Sequence, residues 1–152
     1  IPSYYYHKPS ARRGYLFTNK EPLFPFGHGL SYTTFIYTNV RLSTNKIHAS
    51  EATTLYVDVS NAGERMGDEV VQLYIHDVLS DRITRPVKLL KGFKRISLQP
   101  RQTKTVAFEI GFEQLNYLNE EMKRVVEPGE FELMVGGSSK DVLSIPLEVI
   151  ED

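Results

Sequence analysis

The sequence predicts an all-β sandwich of about seven strands, preceded by an irregular N-terminal stretch. Three observations predict it. From about Phe35 onward, short segments alternate apolar and polar residues, the period of a pleated strand whose side chains point to opposite faces. Turn-forming residues separate these segments at intervals of roughly 10–20 residues. Residues 1–34, by contrast, are rich in Pro, Gly, Tyr and Phe and keep neither a strand period nor a helix period.

The strands follow in order. Ile36, Val40 and Leu42 mark the first. Leu55, Val57 and Val59 alternate with Thr54, Tyr56, Asp58 and Ser60 in the second, which Asn61-Ala62-Gly63 ends. Val71, Leu73 and Ile75 alternate with Gln72, Tyr74 and His76 in the third. The fourth carries Val87, Leu90, Phe93, Ile96 and Leu98, and its broken spacing predicts a bulge at Gly92. Pro100 divides it from the fifth, marked by Val106, Phe108 and Ile110. A short helical turn is expected near Phe112–Leu115. Pro128-Gly129 suits a type II turn, with Gly at the positive-φ position, before a sixth strand at Phe131, Leu133 and Val135. Gly136-Gly137-Ser138-Ser139 reads as a hairpin into the last strand, Leu143 to Val149. Pro146 cannot donate to a ladder, so this strand or its tail is expected at an edge. The polar loop Asp77–Pro86 is the expected mobile segment. Seven strands in about 115 residues fit an immunoglobulin-like sandwich.

Composition narrows the function. A chain of 152 residues has room for one domain with a core, plus an extension. The net charge of −1 gives no electrostatic drive toward nucleic acid or anionic lipid. No apolar run is long enough to span a bilayer as a helix. With no cysteine, disulfides and thiolate metal sites are excluded, while compartment stays open. The start at Ile1-Pro2, without an initiator Met, is expected of an internal fragment.

The most informative stretch runs from Pro22 to Phe35. It sets Phe24, Phe26, Tyr32 and Phe35 among two prolines and two glycines. Prolines fix φ and glycines permit positive φ, so this path is defined, non-repetitive and must pack on something. The run Phe26-Gly27-His28-Gly29-Leu30-Ser31-Tyr32-Thr33-Thr34-Phe35 resembles the junction in family 3 glycoside hydrolases where an α/β sandwich domain leads into a fibronectin type III-like domain. Ile1 to Ser10 looks like the end of that α/β domain. Asn61-Ala62-Gly63, Glu69 to Tyr74, Arg85 to Lys88, Leu90 to Lys94, Glu127 to Phe131 and Val135-Gly136 are similar to the strands of the fibronectin-like module. Family members show Pro-Gly where this chain has Pro100-Arg101, and because Arg disfavours positive φ, a different turn is expected.

The resemblance implies a division into residues 1–34, the linker and tail of a preceding α/β sandwich domain, and residues 35–152, a fibronectin type III-like domain. It implies a parent enzyme, secreted or periplasmic, that hydrolyses terminal β-linked sugars with retention through two carboxylates. Both carboxylates would lie upstream, so no catalytic residue carries over. The expected partners are the upstream catalytic domains of the same polypeptide and an oligosaccharide at the rim of their cleft. No cofactor is expected.

Residue by residue, the alternatives are bland. Asp68, Glu69 and the pair Glu120-Glu121 read as solvated surface carboxylates, not as a catalytic pair across a cleft. His7, His28, His48 and His76 lack metal-site spacing, and His28 reads as a backbone-bonded residue of a buried loop. Lys88, Lys91, Lys94 and Arg95 read as charges guarding a strand edge. Tyr4, Tyr5, Tyr6, Phe24, Phe26, His28 and Tyr32 are the candidate site, either packing against neighbouring domains or contacting sugar. An autonomous carbohydrate-binding module and a protein-binding adhesion module remain the alternative functions.

Overall fold

The computed structural model describes Tyr5, residues 22–78 and residues 88–151. Seven long strands stand where the alternation predicts them: β1 (Phe35–Leu42), β3 (Thr53–Asn61), β4 (Gly67–Asp77), β5 (Leu89–Leu98), β6 (Thr103–Ile110), β9 (Gly129–Gly136) and β10 (Val142–Ile150). Three short strands join them: β2 (Lys46–His48), β7 (Tyr117–Leu118) and β8 (Arg124–Val125). The turn at α1 (Phe112–Leu115) is helical as expected. Two sheets form the sandwich, one ordered β1-β3-β6 and the other β2-β10-β9-β4-β5, while β7 and β8 make a small hairpin beside them. Of the polar loop expected over Asp77–Pro86, residues 79–86 lie outside the described residues.

The core comes from the predicted inward positions. Leu55, Val57, Val59, Val106, Phe108 and Ile110 of one sheet face Val71, Leu73, Phe131, Leu133, Val135, Leu147 and Val149 of the other. Their removal from water, at about 25 cal/mol per Å², is the main favourable term for the sandwich.

The first strand departs from the simple reading. Its register against β3 slips by one residue between Thr38 and Arg41, where Asn39 takes φ 52°. Asn tolerates this left-handed conformation, and its side chain donates to Asp58 Oδ2 at 3.0 Å. The extra residue flips the strand's parity. Phe35 and Tyr37 therefore pack on the core before the bulge, Val40 and Leu42 after it, and Ile36 is left 47% exposed. The bulge in the fourth predicted strand falls on Lys91, next to Gly92, because Leu73 pairs with Gly92 and Tyr74 with Leu90.

Two turn expectations change. Gly129 has no positive φ: it opens β9 in register with Val149, so its freedom is not used. Arg101 does adopt positive φ, 62°, in the turn that Gln102 N–H closes onto Gln99 C=O at 3.0 Å. The turn keeps the geometry that glycine favours despite the Arg. Pro146 lies opposite Glu132, and β2 pairs only with Glu148–Ile150, so β10 is an edge up to Leu147 among the described residues.

Asn61 fastens one end of the sandwich. It is buried at the end of β3. Its Nδ2 donates to the carbonyls of Arg65 (2.7 Å) and Leu98 (3.1 Å), the latter in the opposite sheet. Its Oδ1 accepts from Thr33 Oγ1 (2.5 Å) and Gly63 N–H (3.0 Å). Its backbone bonds Gln102 C=O and Arg101 N–H, each at 2.9 Å. Every capacity of the amide is satisfied, so truncation orphans several groups at once. Asn61→Ala is expected to lose about 2–4 kcal/mol in urea unfolding; a loss under about 1 kcal/mol would show that water replaces the amide without difficulty. Arg101→Gly should gain about 0.5–1 kcal/mol in the same assay by relieving the left-handed backbone.

Candidate interdomain surface

The inward side chains of β4 are Val71, Leu73 and Ile75, so Gln72 and Tyr74 point outward. An outward face should be wet. Instead Gln72 is 6% exposed, Tyr74 0% and their neighbour Met134 5%. This sheet is covered on both sides over β4 and β9.

The cover is the linker. Pro25, Phe26, Gly27 and His28 form a turn closed by His28 N–H on Pro25 C=O at 3.0 Å, with Gly27 at φ 79°, the value a type II turn needs at its third residue. The Phe26 carbonyl accepts from Ser139 N–H at 2.8 Å. The Gly27 carbonyl accepts from Gln72 Nε2 at 3.1 Å, which also donates to Gly137 C=O at 2.7 Å. Tyr74 Oη donates to Gln72 Oε1 at 2.5 Å. The Tyr5 ring stacks on Phe26, with centroids 4.0 Å apart and planes 13° apart, and meets Tyr74 edge-on at 6.0 Å. Its hydroxyl accepts from Leu90 N–H at 3.3 Å. Burial pushes the Tyr74 hydroxyl up to about 12.

Of the sequence-predicted residues, Tyr5 and Phe26 are thus brought together over β4. Phe24 and His28 pair with each other, ring centroids 5.5 Å apart, at the outer side of the turn. His28 is exposed, not buried as the sequence reading had it, because the turn faces Gln72 with its backbone and projects this side chain away. Tyr32 is 92% exposed, with Leu30 at 94% and Leu23 at 88%. Tyr4 and Tyr6 lie outside the described residues. Sequence reasoning missed Gln72, Tyr74 and Met134. The available signal was the unbroken apolar run Leu133-Met134-Val135, which marks a strand buried on both faces.

The charged residues make no shared site among the described residues. Asp68 is bonded by the Ser97 hydroxyl and, second, by Arg95, which hold its carboxyl below the usual range. Glu121 pairs with Lys123 at 2.8 Å in solvent. Lys88 donates to Ser139 C=O at 2.6 Å, and Lys94 sits 5.5 Å over the Phe108 ring, so the four basic residues disperse to separate partners. Burial lowers the Lys91 ammonium. Glu69 differs: it is half-buried beside the Tyr37 hydroxyl, and burial raises its carboxyl against the opposing bond from Val70 N–H at 2.8 Å. Burial and this carboxylate both raise the Tyr37 hydroxyl.

Comparison with known proteins gives this surface its context. A model of the fibronectin type III-like domain matches residues 69–139. A β-xylosidase of Formosa agariphila is 48% identical over 98% of this chain, and a periplasmic β-glucosidase of Salmonella typhimurium is 40% identical over 99% of it. The chain carries a fibronectin type III-like domain, and its relatives are glycoside hydrolases of family 3. It spans 21% of the length of each of these two relatives. Solved β-glucosidase structures are similar to this chain over nearly its whole length. A β-glucosidase of Erythrobacter marinus superposes with a TM-score of 0.93 at 40% identity, over 99% of this chain and 20% of that one. A β-glucosidase of Listeria innocua in complex with glucose gives 0.89 at 35% identity, over 98% and 22%.

The raised Glu69 carboxyl makes a pH-dependent contribution with a definite sign. Because the folded state holds this proton more tightly, the group's stabilising contribution is present below the ordinary glutamate pKa and is lost as pH rises through the folded value. Glu69→Gln keeps an acceptor for Val70 N–H and cannot ionise. Its melting temperature should exceed that of the parent at pH 7, with the gap narrowing toward pH 4. A gap independent of pH would show that Glu69 is not the titrating group.

Proposed function

We propose that this chain is the non-catalytic C-terminal accessory domain of a glycoside hydrolase that cleaves terminal β-linked sugars, and that it braces the catalytic domains. One observation carries the reading. A linker bonded to the sandwich holds Leu23, Phe24, Leu30 and Tyr32 out in solvent, on a chain that spans about a fifth of the length of its β-xylosidase and β-glucosidase relatives. Large apolar side chains held in solvent on one short segment mark an interface. The cover that suits it is the remainder of the same polypeptide, reached through residues 1–34, which join the sandwich to a preceding α/β sandwich domain. Burying several hundred Å² there at about 25 cal/mol per Å² would contribute several kcal/mol to holding the enzyme together. The β-xylosidase and β-glucosidase names of the relatives support a β-glycosidase parent.

Three measurements test the proposal. The isolated chain should release no p-nitrophenol from aryl β-glucosides or β-xylosides and should not saturate with cello- or xylo-oligosaccharides. Turnover after rigorous purification would overturn the non-catalytic assignment, and saturable binding would favour a carbohydrate-binding module that uses the exposed Phe24 and Tyr32 rings. In the full-length enzyme, Leu30→Ser with Tyr32→Ser should lower the melting temperature by at least about 5 °C while leaving that of the isolated chain unchanged. An unchanged full-length melting temperature would remove the bracing role.

A further inference from the structure

We propose that residues 24–34 form a strap that folds as part of the sandwich itself, locked at both ends, so that the surface it carries is already shaped before any partner arrives. The first lock is the Gln72 amide. It joins the Gly27 carbonyl, the Gly137 carbonyl and the Tyr74 hydroxyl at 3.1, 2.7 and 2.5 Å. Lifting the strap would break the Gly27 bond, leave Ser139 N–H without the Phe26 carbonyl and expose Tyr74. The second lock lies at Thr33-Thr34. Thr33 Oγ1 donates to Asn61 Oδ1 at 2.5 Å, and the Thr34 carbonyl accepts from Ala62 N–H at 2.8 Å. Between the locks, Leu30 and Tyr32 stand in solvent.

Three glycines show that the path is built for close approach. A Cβ on Gly27 would lie 2.0 Å from Gln72 Oε1. A Cβ on Gly63 would lie 2.1 Å from Thr33 Oγ1, and one on Gly67 would lie 2.6 Å from Thr33 Cγ2. These glycines sit in the strap, in the β3–β4 loop and at the start of β4. Gly27 of the strap comes up against β4, while Gly63 and Gly67 of the sandwich come up against Thr33 of the strap, Gly67 also approaching Phe35 Cζ at 3.2 Å. A segment that merely trailed from a neighbouring domain would not require glycine at three separate places on or against this one. The consequence is physical: a surface held in place beforehand pays no ordering entropy when its partner docks.

The test uses the chain alone and amide hydrogen exchange followed by NMR. Ser139 and Ala62 donate their N–H to the strap, and His28 closes its turn. In the unmodified chain these three amides should exchange at least about tenfold slower than unstructured ones. Gly27→Ala should accelerate Ser139 and His28 at least about tenfold while Val57 and Leu133 of the core keep their protection. Unprotected Ser139 and Ala62 in the unmodified chain would overturn the proposal, and this arm does not depend on the variant folding. Unchanged protection of Ser139 in Gly27→Ala would overturn it equally. Neither sugar binding nor an unaffected full-length melting temperature bears on these exchange rates, so the accessory-domain reading and the strap fail independently.

Discussion

A carboxamide taken out of water must have both its donors and its acceptor met inside the protein. Two such groups, Asn61 and Gln72, organise this molecule. Asn61 sits where one sheet ends and reaches the last carbonyl of β5 in the other. Gln72 sits on the outward side of β4, where solvent would ordinarily satisfy it. Neither finds all its partners within the two sheets. Asn61 Oδ1 accepts from the Thr33 hydroxyl, and Gln72 Nε2 donates to the Gly27 carbonyl. The N-terminal segment is therefore bound into the hydrogen-bond accounting of the sandwich.

This explains why the larger sheet is dry on its outer side over β4 and β9. Gln72, Tyr74 and Met134 are closed over by the Phe26 turn, the stacked Tyr5 ring and the hairpin that follows β9. What the sandwich then shows to its surroundings near this face is the linker's own apolar side chains. The side chains left exposed there are chosen by the segment and aimed by the sheet.

Much of the fold was legible in the sequence because the long strands, outside the covered stretch of β4 and β9, alternate between a drier and a wetter face, which writes a period of two into the chain. The failures are local and share a cause. Ile36 was misassigned because a single residue at Asn39 inverts the parity of β1, and no pattern of apolar residues announces that. Gly129 and Arg101 were misjudged because a residue's tolerance of positive φ does not say whether the chain asks for it. In the candidate surface, Phe24 and Phe26 were legible as aromatics in a constrained loop, and Tyr5 as one of a run of three tyrosines. Gln72 and Tyr74 were not, since their alternation with Val71 and Leu73 is what an ordinary wetted strand would also show. Their role appears only when a distant segment lies across them, and its one local trace is the apolar run Leu133-Met134-Val135 on the paired strand.

The margin of the larger sheet at β10 deserves a last consideration. Pro146 has no N–H to offer, and just beyond it the parallel strand β2 closes the ladder, with Lys46 and Glu148 paired at 3.0 Å across the junction. A strand from another molecule laid along this border would meet first a missing donor and then an occupied position. Self-templated stacking is thereby discouraged on this side, which favours keeping the protein dispersed at high concentration.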